Sequence, residues 1–211
     1  SRGRPRHEPD ALIGMLRRAL TVGMLRRALA LVFLAVVVAV KAVIWDRLLA
    51  VRRGGRPPEP LRMLVVVDAP IEAAWRLLAR LPRPPPCMPE MKELRLTAPG
   101  PTRVGTRGEA TVRIFGVSVT DPVEVVELEP PTRFAIRHEG LFTGGGVITL
   151  EPGADGTTTI VRWEETLIPP LLPDLGALLQ GPVLREIFQA DLHRFRQLVE
   201  TRTRPIVTAE F

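Results

Sequence analysis

A length of 211 residues suits one domain with an appendage. The net charge of +6 is unevenly placed: residues 1–60 carry 12 basic and 4 acidic side chains, residues 61–211 carry 17 basic and 19 acidic. A near-neutral body excludes a nucleic-acid-binding surface, and the single cysteine, Cys87, excludes an intrachain disulfide and a thiolate metal site.

Residues 1–27 read as a basic tail and a short interfacial helix. The heptapeptide GMLRRAL stands at 14–20 and again at 23–29. A nine-residue offset is about half a turn out of phase on a continuous helix, so the two arginine pairs would face opposite ways. A break near Thr21 to Gly23 removes the conflict. Residues 28–46 then read as a transmembrane helix, because Ala28 to Trp45 contains one charge in eighteen residues and spans about 27 Å as a helix. Arg26, Arg27 and Arg47 bracket it, Lys41 snorkels, and Trp45 sits at belt level. The run starts late and lacks a small-residue cleavage site, which argues against a cleaved signal peptide. The expected location is therefore single-pass in a membrane. Arginines on both flanks leave the side of the body open. Ala35, Ala39 and Ala42 form a small-residue face on which another membrane helix would pack.

Residues 47–60 form a Gly/Pro-rich linker. Leu61 to Val67 is an apolar, β-branched strand. Asp68-Ala69-Pro70 then opens a helix over 71–81, with Ile71, Trp75, Leu78 and Leu81 on one face. Five prolines between Pro82 and Pro89 stop it. Strand signals follow at 91–98, 106–115, 117–128, 133–139, 146–152 and 157–167, with Asp155-Gly156 as a tight turn. The chain closes with an amphipathic helix over Pro182 to Thr203, carrying Leu184, Ile187, Phe188, Phe195, Leu198 and Val199 on one side. Consecutive strands between two helices predict an α+β fold, in which an antiparallel sheet buries the stripe of the last helix.

This pattern resembles the START-like, or polyketide cyclase/dehydrase-like (SRPBCC), superfamily over about residues 61–203. The resemblance rests on VVVDAPIEAAWRLLARL at 65–81, PEMKEL at 89–94, VGTRGEATVRIFG at 104–116, VEVVELEPPTRFAIRHEG at 123–140 and DGTTTIVRWEETL at 155–167. It implies a helix-grip domain over 61–205, followed by a C-terminal tail at 206–211. It also implies a deep apolar cavity between the curved sheet and the long helix, used in the family for hydrophobic molecules. The proline-rich stretch replaces the tryptophans that family members often carry after the first helix, which puts a second short helix in doubt.

Strand alternation puts Phe134, Ile136 and His138 on one face, Val161, Trp163 and Glu165 on another, and Ala110, Val112 and Ile114 on a third. The cavity candidates are Met88, Met91, Val112, Ile114, Ile136, His138, Trp163, Glu165, Phe188 and Phe195. His138 and Glu165 are ionisable side chains on otherwise apolar faces, a pair that could do acid–base work; the favoured reading is that both lie near strand ends, where the pocket opens to water. With no nucleophile or third orienting group in the pattern, the sequence assigns no catalytic residue. Gly144-Gly145-Gly146 precedes a strand and not a helix, so it reads as a flexible turn or bulge. Cys87 and Met88 read as packing residues. His7, His138 and His193 lack ligand spacing, so no metal or cofactor is expected.

The expected function is a membrane-anchored, non-enzymatic binder of a lipid, quinone or polyketide-like molecule, with membrane lipids as partners. The alternatives are a non-catalytic accessory subunit of a photosynthetic or respiratory membrane complex, held through the transmembrane helix, and a polyketide cyclase or dehydratase. The last requires His138 or Glu165 inside the cavity.

Overall fold

A computed structural model describes residues 8–79, 86–114 and 116–203, with side chains from residue 23 onward. The chain divides into two compact units, Ser1–Leu48 and Leu49–Phe211.

In the first unit, helix α1 (Glu8–Arg52) runs unbroken through Thr21 and Gly23 into the body unit. The predicted break is absent. One glycine costs a helix only about 1 kcal/mol, and the surrounding Ala, Leu, Met and Arg are strong helix formers. Within α1, Gly23–Arg52 contains a window long and apolar enough to cross a membrane, and the helix continues to Arg52, into the first residues of the predicted linker. Arg26, Arg27, Lys41, Trp45 and Arg47 are exposed along it, as are Phe33 and Leu34. The predicted tail at 1–7 lies outside the described residues.

The second unit is one seven-stranded antiparallel sheet. Its strands are β1 (Leu61–Val67), β2 (Met91–Leu96), β3 (Arg107–Ile114), β4 (Val117–Glu129), β5 (Arg133–Glu139), β6 (Thr143–Pro152) and β7 (Thr159–Ile168). The spatial order is β1-β7-β6-β5-β4-β3-β2. From β2 to β7 each strand pairs with its sequence neighbour, and β1 adds to the far edge beside β7, which leaves β1 and β2 as the edge strands. Strand β1 shows why the sheet forms here: Met63, Val65 and Val67 are buried while Arg62, Leu64 and Val66 are exposed.

Two helices cover the sheet. Helix α2 (Ile71–Leu78) buries Ile71, Ala74 and Leu77. Helix α3 (Pro173–Thr203) is nine residues longer at its start than the sequence predicts and carries Pro182 in its interior. Pro173 and Asp174 supply the first turn that the prediction placed at Pro182: proline fits an initial turn, and an acidic side chain suits the helix dipole. Helix α3 lies along β1 and β7, burying Leu184, Leu192, Phe195 and Val199. The core gathers Met63, Val65, Val67, Leu150, Val161, Trp163, Phe195 and Val199. Inside it, the Thr159 hydroxyl donates to the Ala69 carbonyl at 2.7 Å, so the one buried hydroxyl there is satisfied. Part of the proline stretch, residues 80–85, and the tail at 206–211 lie outside the described residues. Residues 86–90 are turn and coil, with no helix.

Candidate functional site

The sheet brings two of the predicted residues into direct contact. His138 stands near the end of β5, and Glu165 stands on β7, with β6 between them. His138 Nε2 and Glu165 Oε1 are 2.8 Å apart. The other carboxylate oxygen, Oε2, accepts a hydrogen bond from Trp163 Nε1 at 2.8 Å. Glu165 is 3% exposed, and the His138 side chain is 16% exposed. The expectation that both residues open to water at strand ends does not hold for Glu165.

The glycine run makes this contact possible. Gly144, Gly145 and Gly146 are not a turn. They lie within β6, which begins at Thr143. Gly146 pairs with Glu165 on one side and with Ile136 on the other. A Cβ built on Gly146 would collide with the Glu165 carboxylate, and one on Gly144 with the Thr166 carbonyl. The missing side chain of Gly146 therefore leaves the space that the Glu165 carboxylate occupies on its way across β6 to the histidine two strands away. The pattern GGG contained this information, but only the register shows which carboxylate fills the space.

Asp121, on β4, was not singled out by the sequence. Its carboxylate accepts from the backbone N–H of Leu141 at 2.8 Å and of Phe142 at 3.2 Å, fixing the β5–β6 loop directly after His138. A second acidic site was also missed. Asp191 on α3 is buried and bonded by Arg194 Nη1 at 2.6 Å. Burial, then the charge of nearby Glu90, pushes its carboxyl up to about 7. Aspartate on an amphipathic helix gives no such signal until the facing turn is known.

The remaining candidates divide by position. Phe188 is half-buried, and its ring centroid lies 4.8 Å from that of Trp163. Trp163 and Phe195 are buried in the core, and Met88 packs against that core from its edge. Met91 starts β2 opposite Val112, away from His138. Val112, Ile114 and Ile136 are half-buried; Ile136 pairs with Val125 on β4, whereas Val112 and Ile114 pair with Val119 and Val117 further along that strand. Beside Glu165, Pro58, Leu61, Gln180, Gly181 and Leu184 help enclose a space of about 20 Å³, room for about one water molecule. Cys87 is buried, and burial pushes its thiol up to about 11, which keeps it from acting as a thiolate. Among the described residues no group of three His, Cys, Asp or Glu side chains forms a metal-binding cluster.

A curved antiparallel sheet held against one long C-terminal helix, with a buried polar pair on its inner face, defines a START-like helix-grip domain. Residues 61–200 match the family described as polyketide cyclase / dehydrase and lipid transport, and the chain belongs to that family. No curated protein matches the chain. Among solved structures it is similar to the Zhui aromatase/cyclase from Streptomyces, with 18% identity, a TM-score of 0.57, and coverage of 70% of this chain and 97% of that one. It is similar to TTHA0849 from Thermus thermophilus, with 22% identity, a TM-score of 0.55, and coverage of 69% and 99%. The di-domain aromatase/cyclase StfQ of the steffimycin biosynthetic pathway gives 19% identity, a TM-score of 0.53, and coverage of 68% of this chain and 52% of that one.

These comparisons correct one expectation. A domain without chemistry does not stand: the family is described by a cyclase/dehydrase activity as well as by lipid transport, and aromatase/cyclases are among the structures of the same fold.

Proposed function

We propose that this chain is a membrane-anchored START-like protein that binds an apolar, carbonyl-bearing molecule and moves a proton on it through His138 and Glu165. The observation that carries the proposal is the 2.8 Å contact of His138 Nε2 with a glutamate buried on the inner face of the sheet. A carboxylate accepts hydrogen bonds, so the reading assigns the donor role to Nε2–H, and in the neutral imidazole that leaves Nδ1 as the acceptor. Trp163 Nε1–H holds the second oxygen, which fixes the carboxylate and through it the imidazole plane. A histidine oriented by a carboxylate is suited to take a proton from the carbon next to a carbonyl and return it to a leaving hydroxyl. That is the elementary step of aldol-type cyclisation and of dehydration.

The half-buried Ile136, two residues before His138 on β5, suits an apolar ligand body. In the state described, the space at Glu165 admits about one water, so a ligand enters only when the elements around it move apart. The membrane part of the reading rests on the length and apolar surface of Gly23–Arg52. In it Arg26, Arg27 and Arg47 meet lipid head groups, Lys41 snorkels and Trp45 lies at the interface.

The test uses 2-tetralone as an apolar ketone probe. Deuterium uptake at the carbons beside its carbonyl, followed by NMR in D₂O, is compared between the full chain and its His138→Ala and Glu165→Gln variants. The reading predicts uptake faster than buffer that both variants lose. Equal rates for all three proteins would remove the acid–base role.

A further inference from the structure

The two edges of the sheet, β1 and β2, are treated differently. At β1 the side chain of Gln189 on α3 accepts from the Leu64 N–H at 3.3 Å and donates to the Leu64 carbonyl at 3.0 Å. Beyond the end of that strand, Glu200 on the same helix accepts from the Asp68 N–H at 3.0 Å. Side chains of α3 thus occupy backbone groups that an added strand would need, and this edge is guarded.

At β2 no such cover is present among the described residues. The Thr97 N–H donates to the Arg107 carbonyl at 2.9 Å, so alternation turns the N–H and C=O of Leu94 and Leu96 away from β3, toward the free edge. No hydrogen bond from another described residue reaches these groups. Lys92 is the extra residue of a bulge between Met91 and Glu93, and its Nζ donates to the Pro89 carbonyl at 2.7 Å. The bulge ends regular pairing there, which leaves residues 93–96 as the open edge. Leu94 shares the inner face with the buried Ala110 opposite it. Glu93 and Arg95 stand on the outer face, with side chains 47% and 70% exposed and 2.6 Å apart.

The order of these residues selects the partner. An antiparallel strand bonds this edge only where outward-turned residues face outward-turned residues. Two copies of the edge related by a two-fold axis can therefore centre on residue 93, 94, 95 or 96. Centring on Glu93 opposes two carboxylates, and centring on Arg95 opposes two guanidiniums. Centring on Leu96 sets Arg95 against the uncharged Thr97. Centring on Leu94 makes Leu94 against Leu94 a hydrogen-bonded pair. It also sets Glu93 against Arg95 in both flanking pairs, the non-hydrogen-bonded kind in which side chains lie closest. That register alone satisfies the backbone and both charges.

We infer that β2 is a self-association edge, through which two copies of this chain join their sheets antiparallel about Leu94, Glu93 of each copy pairing with Arg95 of the other. Four residues from each copy bury far less than the roughly 1,200 Å² of a stable interface, so the association is weak and reversible. It does not depend on the acid–base reading of His138 and Glu165.

The test is sedimentation equilibrium of the full chain in density-matched detergent micelles, at low salt and through the micromolar range. The parent chain is expected to show a monomer–dimer equilibrium. Glu93→Arg and Arg95→Glu each place like charges opposite one another twice per dimer, and each should raise the dissociation constant by about tenfold or more. An equimolar mixture of the two variants opposes unlike charges again in this register and should recover the dimer. That recovery cannot come from the contact of Glu93 with Arg95 within one chain, which both variants lack. A parent that stays monomeric would overturn the inference. Variants that dimerise as the parent does would assign the association to another surface, such as the Ala35, Ala39 and Ala42 face of α1, and would overturn it too. Weakened variants whose mixture does not recover would reject the Leu94-centred register and the inference with it.

Discussion

Single residues decide whether the histidine–glutamate contact exists. Gly146 is the most sensitive, because its absent side chain is the space that the Glu165 carboxylate occupies. Replacement by alanine forces the carboxylate out of line or the strand apart, at a cost of about 1–3 kcal/mol for overpacking a closely fitted interior. The expected result is a lower denaturation midpoint for Gly146→Ala together with loss of tetralone exchange. An unchanged midpoint with normal exchange would show that this space tolerates a methyl group. Glu165→Gln separates the two roles. A carboxamide still accepts from Trp163 Nε1, so folding is largely kept. The imidazole loses its charged partner, and exchange should fall by about 10² or more, the usual size of a general-base contribution. Thr159→Val tests the core without touching the site: it orphans the buried Ala69 carbonyl and should cost about 1–3 kcal/mol, read as a lower midpoint with exchange intact.

At the scale of elements, α3 carries both a packing stripe and a titratable group. Asp191 has a carboxyl pushed from 3.8 to about 7, first by burial and then by the Glu90 charge, with Arg194 opposing. The folded state therefore binds the proton more tightly than the unfolded chain. The stability it contributes is complete below about 3.8 and is lost as the pH rises through about 7. Thermal melts of the full chain are expected to show a midpoint that declines between pH 5 and pH 8, and Asp191→Asn should flatten that decline. A slope in the variant as steep as in the parent would move the effect to other groups. The elements themselves were readable in advance to a large extent. Alternation of Met63, Val65 and Val67 with exposed partners announces β1, and turn residues mark each hairpin. The misread stretches share a cause. The glycines of β6 and Pro173–Gly181 of α3 have weak or contrary local propensity, and tertiary contacts impose their conformation. At Thr21 to Gly23 the error ran the other way, since one weak residue does not interrupt a run of strong helix formers.

At the scale of the molecule, a near-neutral body is linked to an apolar, arginine-flanked helix. If Gly23–Arg52 crosses a bilayer, the full chain stays in the membrane pellet after carbonate extraction at high pH, and Val36→Arg together with Val40→Arg reduces that retention. Release of the unmodified chain into the supernatant would rule out an integral anchor. The space at Glu165 is small in the state described, and it is bounded by the linker, β7 and the first turns of α3.

The sequence alone determined what depends on local pattern. The apolar run, the seven strands, the amphipathic last helix and the family resemblance all follow from residue periodicity and turn chemistry, which act over a few neighbours. It also placed His138 and Glu165 on inward faces. Tertiary structure decided what depends on register across strands: that the two side chains meet over Gly146, that Trp163 holds the second oxygen, and that Asp191 faces Glu90. A one-residue shift of β6 would reverse every face, and no local signal in residues 143–168 fixes that register. It is set by the joint packing of β5, β6 and β7.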